Sequence, residues 1–410
     1  MNTLFTQIKS DRIRKYALYV FLFFLPVQLG TFFFLPISYI DGLRIDYLAP
    51  ALYMTDLLVC MLIAVHWKTI RDEIIKYTQI KWLVFASLLI VLIQIDTAIQ
   101  PVIALYRTAK VIEGLFLFFI FRKSEIPAPL LLKILFSAAL TQLSIALYHV
   151  LTGHSVQGGA YFLGERSFSL STPGIAKVAI SGVEVLRGYG TFSHPNSLAG
   201  FYLLLYAFVL YAPKSAGIWK YLFLGICMML IVLSFSKVAI LGVLLLSAYY
   251  AIRNLQNCTV CTLSRVTVPL VLAIIIFGTQ GDTESLQKRV WLTDSAVKII
   301  TSYPWTGAGL GNYLYAQSVF PIPYTYVFLQ PVHNVFLLLI AEAGIPVFFF
   351  ISYVFLRYIK VYFSNPQVHA VLFVLLLTGM FDHYWLTLQQ NFLLLPVVFG
   401  LLRKHEHVVK

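Results

Sequence analysis

Charge is scarce in this sequence. Only 11% of its 410 residues are Asp, Glu, Lys or Arg, against 60% hydrophobic, and a soluble chain of that make-up cannot bury so much apolar surface in one core. The bilayer is therefore the expected solvent. Strict alternation of apolar and polar residues is also missing: stretches such as 201–211 and 348–356 are apolar almost throughout, which excludes barrel strands and leaves helices. Cysteine numbers four, with Cys60 and Cys227 inside apolar runs and Cys258 and Cys261 forming one lone CxxC. That excludes a disulfide framework and supplies only half a zinc site. The net charge of +13 is scattered over short connections with no basic stripe, so nucleic acid is not an expected partner. No cluster has metal-ligand spacing along the chain, and the GxGxG at 307–311 follows no strand, so neither a metal nor a cofactor is expected. An internal repeat of the kind that builds inverted transporter halves is missing too.

Long apolar runs are what the sequence does have. Twelve candidate spans lie at roughly 16–36, 47–67, 81–95, 102–121, 130–151, 191–211, 218–234, 237–253, 265–278, 333–356, 368–385 and 390–403. The expected fold is an all-α polytopic membrane bundle. Its first helix follows Lys9, Arg12, Arg14 and Lys15, is long, and has no small-residue cleavage pattern after it, so it reads as uncleaved. Basic residues fall on alternate connections: Lys68, Arg71 and Lys76, then Arg122 and Lys123, then Lys214 and Lys220, then Arg253, then Arg357 and Lys360, then Arg403 and Lys404. By the positive-inside rule both termini are cytoplasmic, in a multi-pass protein of the cell inner membrane. The organisation is residues 1–190 as the first spans with a long external loop, 191–403 as a second membrane unit with the external loop 279–332, and 404–410 as a cytoplasmic tail. The loop 279–332 opens with an amphipathic stretch capped near Asp282 or Thr283. Leu286, Val290, Val297 and Ile300 recur there at helical spacing until Pro304 disfavours helix at Tyr303, which suits a helix lying along the outer membrane surface.

Polar residues with chemical potential gather at the external ends of these spans. One cluster runs from Arg187 through His194, Pro195 and Asn196, where Ser193 or His194 could cap the sixth span and leave N–H groups to attract an anion. A second joins Arg289 and Trp291 to the glycines Gly307, Gly309 and Gly311, and then to His333 and Asn334 at the start of the tenth span. Histidine titrates nearest neutral pH, so His333 is a candidate base, or else a cap-region residue. Glu342 lies nine residues further into that span. Arg107, Lys110 and Glu113 share the fourth span; Lys110 and Glu113 can pair, which leaves Arg107 to face a polar cavity. A third cluster pairs Ser236 and Lys237, between the seventh and eighth spans, with Asp382 and His383. Adjacent residues on a helix point apart, so Asp382 and His383 make a weak pair. Cations, helix N-termini and a histidine on the outer side suit a ligand with a phosphate headgroup and a lipid tail.

In the stretches GTFSHPNSLAGF at 190–201, SFSKVAILGVLL at 234–245, RVWLTDSAVKIITSYPWTGAGLGNY at 289–313 and HNVFLLLIAEAGI at 333–345, the chain resembles the O-antigen ligase and O-antigen polymerase superfamily. The resemblance covers roughly the C-terminal half; the first five spans match in hydropathy alone. It implies a glycosyltransferase C-like bundle that takes a glycan from undecaprenyl diphosphate on the external face, without a metal, and passes it to lipid A core, a protein or another glycan. It also implies activity residues at Arg289 and His333. Lys237 stands where the family's short turn usually has arginine, keeping the charge without the bidentate fork. Arg187, His194, Asn196, Asn334, Arg107, Glu342, Asp382 and His383 are the expected donor or acceptor contacts. A transporter or flippase, the competing class, would place its charges nearer the bilayer midplane.

Overall fold

The computed structural model describes residues 2–78, 81–212, 217–253, 283–321, 324 and 326–402, with isolated positions 263, 267, 270 and 271. Most of the expected ninth span, the Cys258/Cys261 pair and the tail 404–410 lie outside these residues. The described chain is predominantly helical. At its centre is α6 (Pro195–Leu210), in which every residue except Asn196 is buried. A helix apolar on all sides has no face to offer water, so it becomes the axis of the bundle. Against it pack α7 (Ile218–Leu233), α8 (Lys237–Arg253), α13 (Pro366–Gly379) and α15 (Gln389–Leu401). Outside these, α4 (Pro101–Lys123) packs on α15 and on α2 (Met54–Thr78), α5 (Ala128–Thr152) on α7, α3 (Lys81–Asp96) on α4, and α1 (Asn2–Phe24) on α2 and α5.

Large apolar side chains such as Phe85, Leu92, Phe349 and Leu356 point outward, a surface suited to hydrocarbon. By length and composition α5 is the one helix among the described residues able to cross a bilayer unaided; α6, α7, α8, α13 and α15 are apolar but shorter. Lys110 pairs with Glu113 at 3.5 Å, as its spacing suggests, and also with Asp56 of α2.

Three expectations are corrected. The first helix ends at Phe24 instead of near residue 36, because Pro26 disfavours helix at Leu25. The apolar segment that follows is extended: β1 (Gly30–Phe32) pairs antiparallel with β4 (Ala51–Tyr53), and between them β2 (Tyr39–Ile40) pairs with β3 (Leu43–Arg44). The inner hairpin turns at Asp41-Gly42, both with positive φ (50° and 78°), the two-residue Asp-Gly turn that suits the twist of a hairpin. Consequently α2 begins at Met54 and not at 47. Finally, the expected tenth span is two helices, α11 (Val335–Ala343) and α12 (Ile345–Lys360), broken at Gly344 with φ 80°. The freed backbone groups are satisfied by the preceding loop: Ala308 N–H donates to Ala341 O, Gly309 N–H to Glu342 O, and Ile345 N–H to Pro304 O, all at 2.9 Å. Gly307 and Gly344 permit this approach, since a Cβ on either would come within 2.4 Å of the opposing backbone.

The amphipathic stretch forms α9 (Thr283–Ser302) and stops before Pro304 as expected. Leu292, Ser295, Ala296 and Ile299 are its buried side, whereas Leu286, Val290 and Val297 are exposed. A short α10 (Tyr313–Ser318) follows.

Candidate active site

The site lies at the N-terminal end of α6. His194 is the N-cap residue, its Nδ1 accepting from Asn196 N–H at 3.1 Å. Burial first, and then the Arg187 charge, pull the His194 pKa down to about 3, so the ring is neutral and Nδ1 is free to accept. Asn196 bridges two charges: Oδ1 accepts from Arg187 Nη2 at 2.6 Å and Nδ2 donates to Asp382 Oδ2 at 3.0 Å. Arg187 also donates through Nε to Ser234 O at 2.6 Å, tying the turn before Lys237 to the same wall. Burial lowers the Arg187 pKa to about 10, with Tyr189 and Asp382 opposing, which leaves it cationic. Its guanidinium is committed to the protein, and so it shapes the site more than it offers donors to a ligand.

Asp382 and His383 follow α13 and precede α14 (Tyr384–Thr387), which is held against α6 because Gly200 has no Cβ to meet the Tyr384 ring. Asn391, in the first turn of α15, exchanges hydrogen bonds with Ser197 and fixes the same junction. Asp382 Oδ1 accepts from the His383 backbone N–H at 2.8 Å and stands 3.7 Å from His333 Nδ1. Thus the imidazole facing this carboxylate is His333, and the Asp382–His383 side-chain pair suggested by adjacency does not form. Burial disfavours the Asp382 charge, but His333, His383 and His194 around it outweigh burial and hold the carboxyl well below the usual range. His383 packs its ring 5.1 Å from that of His333, bonds Thr387 Oγ1 through Nδ1 at 2.7 Å, and is kept down to about 4 by burial against the opposing pull of Asp382. His333 Nδ1 has no hydrogen-bond partner among the described residues.

Arg289 reaches this group from α9, its Nη1 lying 3.4 Å from Phe381 O. Asn334 is the N-cap of α11, its Oδ1 accepting from Phe336 and Leu337 N–H at 3.0 Å. Glu342 is also elsewhere: its carboxylate meets the backbone N–H groups of Gly311 and Tyr313, holding the 307–313 loop. Arg107 donates to Tyr47 O at 3.2 Å, positioning a ring 5.8 Å from His383.

Two contributors carried no motif. Tyr47 lines the site; burial, then the Asp382 charge, push its hydroxyl up to about 12, while Arg166 pulls the other way. Arg166, in the first long loop, donates from Nη2 to Ser193 O at 2.8 Å beside the N-cap of α6, and its side chain is otherwise exposed. The neighbouring Glu165 is fully buried, bonded to His149 at 2.7 Å and to the N–H groups of Val156 and Gln157, and anchors the loop that carries it. Only an Arg beside a buried acidic anchor would have pointed to it.

The fold also brings His333, Asp382 and His383 together so that one ligand atom from each lies within 4.8 Å of the others, a grouping able to hold a cation that linear spacing did not show. Arg187 and Arg289 stand beside it, and their charges favour an anion in the same place.

Residues 197–352, from the first turn of α6 into α12, match the sequence profile of the family described as O-antigen ligase. No curated protein matches the chain.

Proposed function

Residues 197–352 belong to the O-antigen ligase family, a family of membrane proteins of polysaccharide biosynthesis, and from that premise we propose that the chain transfers a glycan from an undecaprenyl diphosphate-linked donor to an acceptor hydroxyl. The observation that carries this reading is the Asp382–His333 pair, 3.7 Å apart, set between guanidiniums at one end of the bundle. The acceptor oxygen attacks the anomeric carbon and its proton passes to His333 on the nitrogen away from Asp382. The anomeric carbon–oxygen bond breaks and its electron pair leaves with the diphosphate. Asp382 then faces an imidazolium, the arrangement in which a carboxylate orients and stabilises a general base. Charge growing on the diphosphate is met by Arg289, Arg166 and Lys237, with Arg187 behind them in the wall; preorganised charge of this kind often does more to lower a barrier than any other single effect. No step needs a metal.

On this reading the bundle crosses the inner membrane about twelve times with both termini inside and this end on the external face, in keeping with the basic residues on alternate connections. The donor's lipid lies along the apolar exterior. The acceptor is lipid A core or a protein for a ligase, and a second lipid-linked glycan for a polymerase; we favour the ligase. Purified protein incubated with lipid-linked glycan and each acceptor, with mass analysis of products, tests it. A product of glycan plus acceptor mass is expected, and donor recovered unchanged with every acceptor, or merely moved across the membrane, overturns it.

A further inference from the structure

Close along the chain to Arg289 and His333 stands an aromatic cluster with no part in the chemistry above. Tyr324 and Tyr326 stack with ring centroids 5.5 Å apart at 24°. Phe328 closes against both edge-on, at 5.5 and 6.5 Å. Trp291 of α9 meets Tyr324 at 6.1 Å and Phe328 at 5.7 Å. The Lys288 ammonium sits 5.4 to 6.0 Å from the three rings of Tyr324, Tyr326 and Phe328. The rings are fixed by one another, with Phe328 buried as the floor and Tyr326 half exposed at the top.

We infer that this cluster is a sugar-binding subsite, holding pyranose units of a glycan substrate next to the transfer centre; this rests on the function proposed above. Pyranose rings offer apolar C–H faces and hydroxyl edges, and the cluster offers ring faces, two phenol groups and an ammonium. Chain connectivity sets its distance from the chemistry. Lys288 adjoins Arg289, and His333 follows Phe328 by five positions, a reach of at most about 18 Å when extended. A glycan attached at the reaction centre passes over such a platform within a few sugar units.

Aromatics beside a lysine also mark membrane interfaces, but the placement on α9 argues against that reading. At about 100° per residue, Leu286, Val290 and Val297 share one exposed stripe, and Lys288 with Trp291 lie roughly 150° around the helix from it. The side of α9 suited to lipid is not the side carrying the rings.

The test measures binding directly, so that it does not depend on turnover. The probes are the oligosaccharide released from the lipid-linked donor by mild acid, the free glycan of the acceptor, and undecaprenyl diphosphate without glycan, each titrated into wild-type protein, Tyr326→Ala and Tyr326→Trp. Tyr326→Ala is expected to weaken one oligosaccharide about tenfold or more, Tyr326→Trp to stay within about threefold, and the glycan-free lipid to bind all three proteins alike. Which oligosaccharide responds identifies donor or acceptor as the source. Equal binding of both sugars by wild type and Tyr326→Ala, or an equal loss of glycan-free lipid binding, overturns the inference. Wild-type protein that binds sugar yet transfers none overturns only the proposed reaction.

Discussion

Replacing Asp382 with Asn changes one charge and almost no volume, and its effect follows from the geometry. Asp382 Oδ2 holds Asn196 Nδ2 at 3.0 Å, Oδ1 takes the His383 N–H at 2.8 Å, and Oδ1 faces His333 Nδ1 at 3.7 Å. A carboxamide can keep the second contact, but it turns an NH2 towards the Asn196 donor of the first and loses the favourable charge for the third. At an effective dielectric constant near 20, an imidazolium and a carboxylate 3.7 Å apart attract by about 4.5 kcal/mol, an upper bound. The two side chains share no hydrogen bond and His333 is partly exposed, so solvent screens part of that attraction. A loss of about 2–3 kcal/mol falls on the transition state, where the imidazolium forms, so kcat drops roughly 30- to 150-fold while KM changes little. The assay is initial-rate transfer from lipid-linked donor, with melting temperature as a fold control. In a His333→Ala background the same substitution should cost much less, because the carboxylate has no imidazolium left to serve and only its contact with Asn196 remains to be lost. A kcat within about threefold of wild type at unchanged melting temperature would refute the pairing.

Arg166→Ala should raise the donor KM roughly 10- to 150-fold, with Arg166→Lys recovering part of it, as a charge-assisted contact is worth about 1.5–3 kcal/mol; unchanged steady-state kinetics would remove Arg166 from the site. His383 titrates near 4 in the fold against about 6.5 unfolded. Its depressed pKa contributes stability that is whole above pH 6.5 and declines as pH falls towards 4, by about 3 kcal/mol in all; His383→Gln should flatten the melting temperature across that window, and an equally steep decline in the variant would contradict the assignment. Chelation by EDTA is expected to leave transfer within about twofold, since Arg187 and Arg289 crowd His333, Asp382 and His383 with positive charge; a loss of about tenfold restored by a divalent ion would make that group a metal site.

Much of this arrangement was legible in the sequence because it sits in short polar islands within apolar runs. Arg187, His194, Asn196, Arg289 and His333 stand out for that reason, and the end of α9 before Pro304 follows from proline chemistry alone. Hydropathy could not reveal the break at Gly344, since α11 and α12 are both apolar and the glycine's positive φ makes sense only against the carbonyls capped by 308–309. The strands between residues 30 and 53 were hidden by the same apolar continuity, although Asp41-Gly42 was a hairpin signal in plain view. Pairing of Asp382 with His333 is a long-range fact, created by Tyr384 docking on Gly200, and adjacency along the chain offered Asp382 only the weak pair with His383. Arg187 had the right charge and neighbourhood, but nothing local showed that its donors end on Ser234 O and Asn196 Oδ1.

The central claim is that His333 takes the acceptor's proton in a glycosyl transfer. Its most direct measurement is the rate of product formation by His333→Ala against wild type, in membranes supplied with purified lipid-linked donor and a saturating acceptor. A fall of about 10²–10⁴ with donor binding retained is predicted; near-normal transfer by the variant would contradict the account.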